Sequence, residues 1–267
     1  MPADLNSSRV LLTGATGGLG HAIARALHAR GAHLVLTGRR AEVLDGLVSE
    51  LGERAEARAL DLSDRGSVRG FCEEAGTIDV LVANAGLPGT GRLSEYAPEQ
   101  IDRVFDVNFR APVHMTHALL PPMLERDHGH LVYISSMSGK VATARSSLYN
   151  GTKFGLRGFA YAVREDLRGT GVGVTTVFPG FISDAGMWAD SGLDLPRGIR
   201  TKTPEDVAQA VITGIERDKA EIDVAPLTVR LGGWLAGAAP NAVAAINKRG
   251  GGDDIADALA STQRDKR

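Results

Sequence analysis

The feature that most constrains this chain is an alternation of short β-branched runs with longer stretches of helical period. Arg9–Leu12, His33–Thr37, Val80–Ala83, Leu131–Ile134 and Val172–Phe178 read as strands, with weaker candidates at Ala55–Leu60 and Glu221–Val224. Between them, His21–Ala29, Pro98–Leu124, Leu148–Leu167 and Pro204–Ile215 carry apolar residues at the three-to-four-residue spacing of one helix face. Such alternation predicts right-handed β-α-β crossovers, and hence an α/β fold in which a doubly wound parallel sheet of about seven strands is covered by helices on both faces. Ligands of such sheets bind beyond the carboxyl ends of the strands.

No internal repeat or low-complexity linker precedes Gly250, so the 267 residues read as a single domain over 1–225, followed by an extension over 226–267. A 43% hydrophobic and 23% charged composition is that of a soluble globular protein. The formal net charge of −2 supplies no bulk attraction to nucleic acid. The single cysteine, Cys72, has no disulfide partner within the chain and is expected to pack as a small apolar residue. Residues Met1–Arg9 lack the order of a signal peptide, which predicts a cytoplasmic protein. His114 and His117 lack further ligands at metal spacing, so no metal site is expected, while His128 and His130 flank a turn and look solvated. Leu231–Asn247 carries no charge and holds Trp234, Leu235 and Ile246, but Gly232, Gly233, Gly237, Pro240 and Asn241 interrupt it. Two short helices packed on the body or on another subunit are expected there; contact with a membrane surface or a lipid-like substrate is the alternative. The polar tail from Gly250 is expected to fray.

Thr13-Gly14-Ala15-Thr16-Gly17-Gly18-Leu19-Gly20 lies between the first strand and the first helix. Glycines there let the backbone approach a pyrophosphate, and the amides and positive end of the helix favour an anion. A plain strand-helix turn has similar needs, but the spacing of Gly14, Gly18 and Gly20 is narrower than that explanation requires. At the end of the second strand stands Thr37-Gly38-Arg39-Arg40, where an NAD site commonly places a carboxylate. A guanidinium pairs with phosphate instead, so Arg39, helped by Arg40, is expected to anchor the 2′-phosphate of NADP(H), with NAD(H) disfavoured; the alternative is two solvated arginines opening a helix. Asp61, followed by Leu62, ends the third strand, and either bonds an adenine or belongs to a helix cap with Ser63.

Tyr149 and Lys153 lie four apart on one helix face. A phenol titrates near pH 10, and an adjacent ammonium lowers that value, which is how such a pair becomes a general acid/base. Alone, the pair is also what an ordinary helix surface shows. Ser136 adds a hydroxyl at the end of the fifth strand, placed either to donate to a carbonyl oxygen or to cap a turn.

These motifs, in this order, resemble the short-chain dehydrogenase/reductase family over about Arg9 to Pro226. The family's glycine turn falls on Thr13, Gly14, Gly18 and Gly20, its Asn-Ala-Gly turn on Asn84, Ala85 and Gly86, and its asparagine on Asn108. Its serine falls on Ser136, its Tyr-x-x-x-Lys pair on Tyr149 and Lys153, and its Pro-Gly turn on Pro179 and Gly180. The resemblance implies a Rossmann-type fold and an NADP(H)-dependent oxidoreductase interconverting a carbonyl and an alcohol. Tyr149 is then the proton donor, Lys153 holds the nicotinamide ribose and lowers the Tyr149 pKa, Ser136 polarises the carbonyl, and Asn108 holds a water. It further implies cofactor contacts from Gly14, Thr16, Leu19, Leu62, Ala85, Gly86, Ile182 and Ser183, and a homodimer or homotetramer. The threonine usual five residues after the proline is here Asp184, a departure that leaves Ser183 as the candidate for the carboxamide contact. A non-catalytic dinucleotide sensor, or a membrane- or partner-associated protein on the same fold, is the alternative. Phe181, Ile182, Met187, Trp188, Leu193, Leu195 and Ile199 in the loop 181–200, with Met137 and Val141, suggest an apolar substrate pocket or else a partner-contacting loop.

Overall fold

The computed structural model describes residues 4–189, 191–193, 200–239 and 252–263. Leu195 and Ile199 of the expected pocket, and Pro240, Asn241 and Ile246 of the extension, lie outside them. The strands are β1 (Arg9–Leu12), β2 (His33–Gly38), β3 (Ala55–Ala59), β4 (Val80–Ala83), β5 (Gly129–Ile134), β6 (Val172–Pro179) and β7 (Glu221–Val224). They form a seven-stranded sheet in the order β3-β2-β1-β4-β5-β6-β7. Every neighbouring pair is parallel. The order reverses between β1 and β4, which opens a crevice at their carboxyl ends.

The helices are α1 (Gly18–Ala29), α2 (Ala41–Leu51), α3 (Arg65–Glu74), α4 (Pro98–Phe105), α5 (Ala111–Glu125), α6 (Ser147–Asp166), α7 (Gly186–Ala189), α8 (Pro204–Arg217), α9 (Leu227–Ala238) and α10 (Gly252–Thr262). Strand alternation divides the core in two. Val10, Leu12, Leu34, Leu36 and Val82 pack with Ile23 and Leu27 of α1, Leu44 of α2 and Val211 of α8. Leu11, Val35, Leu81 and Leu131 face the other way, onto Val68 of α3, Met115 of α5 and Leu156 of α6. Each such side chain, buried fully, stabilises the fold by about 1.5–3 kcal/mol. Cys72 packs against this second cluster, and burial pushes its thiol up to about 11.

Three expectations needed tertiary correction. The long helix over Pro98–Leu124 is two helices separated by a wider, π-type turn at Asp106–Arg110. Asp106, almost fully buried, holds that turn by ion pairs to Arg65 at 3.0 Å and Arg110 at 2.9 Å. β5 begins two residues earlier than expected, at Gly129, which draws His130 into the sheet between Val80 and Gly173. His130 is therefore buried rather than solvated, with Nε2 2.8 Å from Thr175 Oγ1. α9 starts at Leu227, capped by Pro226, and includes Arg230. As expected of a helix packed on the body, it lies through Val229 and Gly233 on Met137, and Trp234 is exposed. Within the tail expected to fray, Gly252–Thr262 forms α10, and this part docks through Asp257 and Gln263. Among the described residues no helix is long and apolar enough to cross a membrane.

Candidate active site

The glycine turn joins β1 to α1 at the crevice. Gly14 has φ +68°, and a β-carbon there would lie 2.7 Å from Ala85 Cα, so a side chain is excluded by both conformation and space. A β-carbon on Gly20 would collide with the Gly14 carbonyl, which fixes the close return of the chain into α1. The first turn of α1 carries no acidic residue, so its positive end is left for an anion. Arg39 and Arg40 are exposed beside it, and the Arg40 guanidinium donates to the Thr16 carbonyl, tying the end of β2 to the turn. These features fit a dinucleotide with a phosphorylated adenosine ribose. Asp61 accepts from Ser63 N at 2.9 Å and Ser63 Oγ at 2.7 Å. The α3 cap is instead Asp64, which accepts from Gly66 and Ser67, so the capping alternative for Asp61 is corrected. Leu62 is buried in the core beneath it.

The end of β4 is stitched to this turn. Asn84 Nδ2 donates to the carbonyls of Thr13 and Gly14 at 3.0 and 3.2 Å, and Thr13 Oγ1 accepts from the amides of Asn84 and Ala85. One residue beyond Gly86, Leu87 is held at both backbone groups by Asn108: Oδ1 accepts from its N–H at 2.7 Å and Nδ2 donates to its C=O at 2.9 Å. Asn108 is fully buried, and Nδ2 also reaches Thr152 Oγ1 at 3.3 Å. Its amide is thus engaged in fixing the loop. The π-type turn is what brings Asn108 to face that loop.

Ser136, two residues beyond β5, is extended, and its hydroxyl accepts from Ser138 N at 3.1 Å. Asn150, buried beside Tyr149, donates to the carbonyls of Ser138 and Val141 at 2.7 and 2.9 Å, which fixes the serine turn against α6. Lys153 is buried, with Nζ 2.8 Å from the Ile134 carbonyl and 5.7 Å from the centroid of the Tyr149 ring. Burial brings the Lys153 ammonium down to about 8. The Tyr149 phenol is pushed above its ordinary value by burial, with a hydrogen bond to Ser136 opposing. Burial thus acts on the phenol in the direction opposite to that expected of an ammonium neighbour.

A phenol, a hydroxyl and an ammonium thus converge at the carboxyl rim beside an anion cradle. Residues 8–195 match the family described as short chain dehydrogenase. The chain belongs to the short-chain dehydrogenase/reductase family. A ketoacyl reductase, HetN, of Nostoc sp. is 36% identical over 227 residues, covering 82% of this chain and 79% of that one. The NADP-dependent 3-hydroxy acid dehydrogenase YdfG of Shigella flexneri is 37% identical over 214 residues, 76% of this chain and 86% of that one. The closed form of a serine dehydrogenase complexed with NADP+ superposes with TM-score 0.73 at 33% identity, covering 82% of this chain and 95% of that one.

In this family member the segment after β6 forms a roof. Pro179 ends β6, and Gly180 N donates to the Val224 carbonyl at 3.0 Å. Ile182 is buried and pairs with Lys202, and Ser183 Oγ donates to the Lys202 carbonyl at 3.3 Å. Asp184 turns the chain with φ 61°. Ala185 then abuts Gly18, and a β-carbon on Gly86 would lie 3.6 Å from Lys153 Nζ, 3.7 Å from Asn108 Oδ1 and 3.8 Å from Met187 Cε. Phe181 and Trp188 meet edge to face, 4.8 Å between centroids. Met137, next to Ser136, is buried with Phe178, Ala225 and Val229 under α9. Sequence reasoning missed Asn150, Thr152, Thr90 and Gln263. Only Asn150 left a signal, as an amide on the helix that also carries Tyr149 and Lys153.

Proposed function

We propose that this protein is an NADP(H)-dependent oxidoreductase that interconverts a carbonyl and an alcohol on an apolar small molecule. The convergence of Ser136, Tyr149 and Lys153 beside the glycine cradle carries this reading. When bound, the cofactor supplies the hydride. Tyr149 Oη transfers a proton to the carbonyl oxygen in reduction and recovers it in the reverse direction. Ser136 Oγ donates to the same oxygen and fixes it against the phenol. Lys153, whose ammonium lies beside Gly86, holds the nicotinamide ribose hydroxyls. Gly14, Gly18, Gly20 and the start of α1 hold the pyrophosphate, and Arg39 with Arg40 holds the 2′-phosphate. Asn84, Ala85 and Asp61 flank the adenosine, and Pro179, Gly180 and Ser183 the nicotinamide. Phe181, Met187 and Trp188 supply the apolar cover. Exposed Phe154 and Tyr161 on α6 support self-association as a homodimer or homotetramer.

The names of the relatives, a ketoacyl reductase and a 3-hydroxy acid dehydrogenase, make β-keto esters and 3-hydroxy acids the first probes in a screen of reduced-nicotinamide absorbance. On the best substrate, Tyr149→Phe is expected to lower turnover by roughly 10²–10⁴-fold, the usual contribution of a general acid, while NADPH binding holds. Undiminished turnover would remove the proton-donor assignment. NADPH should raise the melting temperature at lower concentration than NADH; equal potency would remove Arg39 as a phosphate anchor.

A further inference from the structure

Among the described residues, the C-terminal helix α10 makes contacts that nothing in the family motifs explains. Gln263, directly after it, is almost completely buried. Its Oε1 accepts from Thr90 Oγ1 at 2.8 Å, and its Nε2 donates to the Met187 carbonyl at 2.9 Å. One amide therefore joins the loop after β4 to the roof α7. A second grip lies on the third wall of the cleft, where Arg145 pairs with Asp257 through two bonds of 2.6 and 3.0 Å. Arg145 is held in the left-handed region at φ 58° and stands four residues before Tyr149. Its carbonyl accepts from Gly91 N at 2.6 Å, and Tyr96 Oη donates to the Thr90 carbonyl at 2.7 Å. α10 and the residue after it thus bond the loop after β4, α7 and the segment before α6, and Met187 of α7 lies near Gly86, beside Lys153 Nζ.

We propose that Gln263 is a positioning residue, through which α10 straps α7 down over the reacting end of the site and sets how far the substrate cleft closes. A buried amide is suited to the task, because it is held by its donor and its acceptor on two different segments, and a partial lift strands one of them before water can replace the lost partner. The same strap limits the bulk of substrate that fits beneath Met187. That consequence for substrate choice rests on the oxidoreductase reading above; the mechanical claim does not.

The test needs no turnover. The chain contains two tryptophans, Trp188 in the roof and the exposed Trp234. In a Trp234→Phe background, Trp188 emission reports on α7 alone. Gln263→Ala should raise acrylamide quenching of Trp188 and speed hydrogen exchange in residues 86–91 and 182–189, with strands β1, β4 and β5 unchanged. Loss of the two bonds is expected to increase the undocked population by about tenfold, equivalent to ~1.4 kcal/mol. Asp257→Asn breaks the other grip at an exposed position and should move both signals the same way by less. It decides the matter if Gln263→Ala does not fold. Unchanged quenching and exchange would overturn the proposal, as would a rise spread evenly over the sheet. Failure of Tyr149→Phe to lose activity would touch the chemistry and leave this result standing.

Discussion

Replacing Asn108 separates two roles that share one side chain. Asn108→Leu keeps the volume but offers neither donor nor acceptor. The Leu87 N–H and C=O, bonded at 2.7 and 2.9 Å in the native chain, then lose their partners in a site where Asn108 itself is 0% exposed. Each buried group left unpaired costs about 1–3 kcal/mol, so roughly 4 kcal/mol is expected for the two together. For a chain of this size that is a fall in Tm of roughly 8–16 °C. Thermal unfolding by circular dichroism measures it directly. Hydrogen exchange should locate the loss in the loop around Leu87 before the rest of the sheet opens. Asn108→Asp keeps the acceptor toward the Leu87 amide but turns a carboxylate toward the Leu87 carbonyl, so it should destabilise as well. A Tm within about 2 °C of the parent for Asn108→Leu, less than 1 kcal/mol by the same conversion, would refute the reasoning and show that the asparagine is free for another task.

His130 predicts an acid-sensitive fold: desolvation holds its folded pKa at about 4 against 6.5, so the contribution is intact above about pH 6.5 and is lost as the pH falls toward 4. The loss amounts to about 3 kcal/mol at 1.36 kcal/mol per pKa unit, and urea midpoints for His130→Gln should fall less steeply with acid than those of the parent; parallel curves would contradict this. Gly14→Ala should cost about 2 kcal/mol or more from the left-handed backbone and the overlap with Ala85, and should abolish cofactor-induced stabilisation; a parent-like Tm shift with NADPH would count against the cradle. Arg39→Glu should weaken NADPH by roughly 10–100-fold, the value of a charge-assisted contact, while NADH holds or gains; an equal effect on both cofactors would argue that Arg39 touches no phosphate.

The parallel sheet, its two-faced core and the glycine turn were legible because each is local: strand alternation has a period of two, helix faces repeat at 3.6, and Gly14 needs a backbone angle that its own residue type announces. Ser136, Tyr149 and Lys153 were legible as a set because they follow one strand and one helix, whose ends the topology must bring to the same rim. The turn at Asp106–Arg110 was not, since one of the two ion pairs on its buried Asp106 comes from Arg65, forty-one residues away, and no helical periodicity encodes that contact. Nor was the burial of His130, which depends on where β5 begins pairing with β6. The direction of the Tyr149 pKa also lay beyond the sequence, because spacing supplies the neighbouring ammonium but only packing sets how far the phenol is taken from water. Sequence alone therefore determined which residues meet at the rim. The tertiary structure decided their desolvation, and it alone brought Gln263, from a tail that reads as loose, to hold the roof above them.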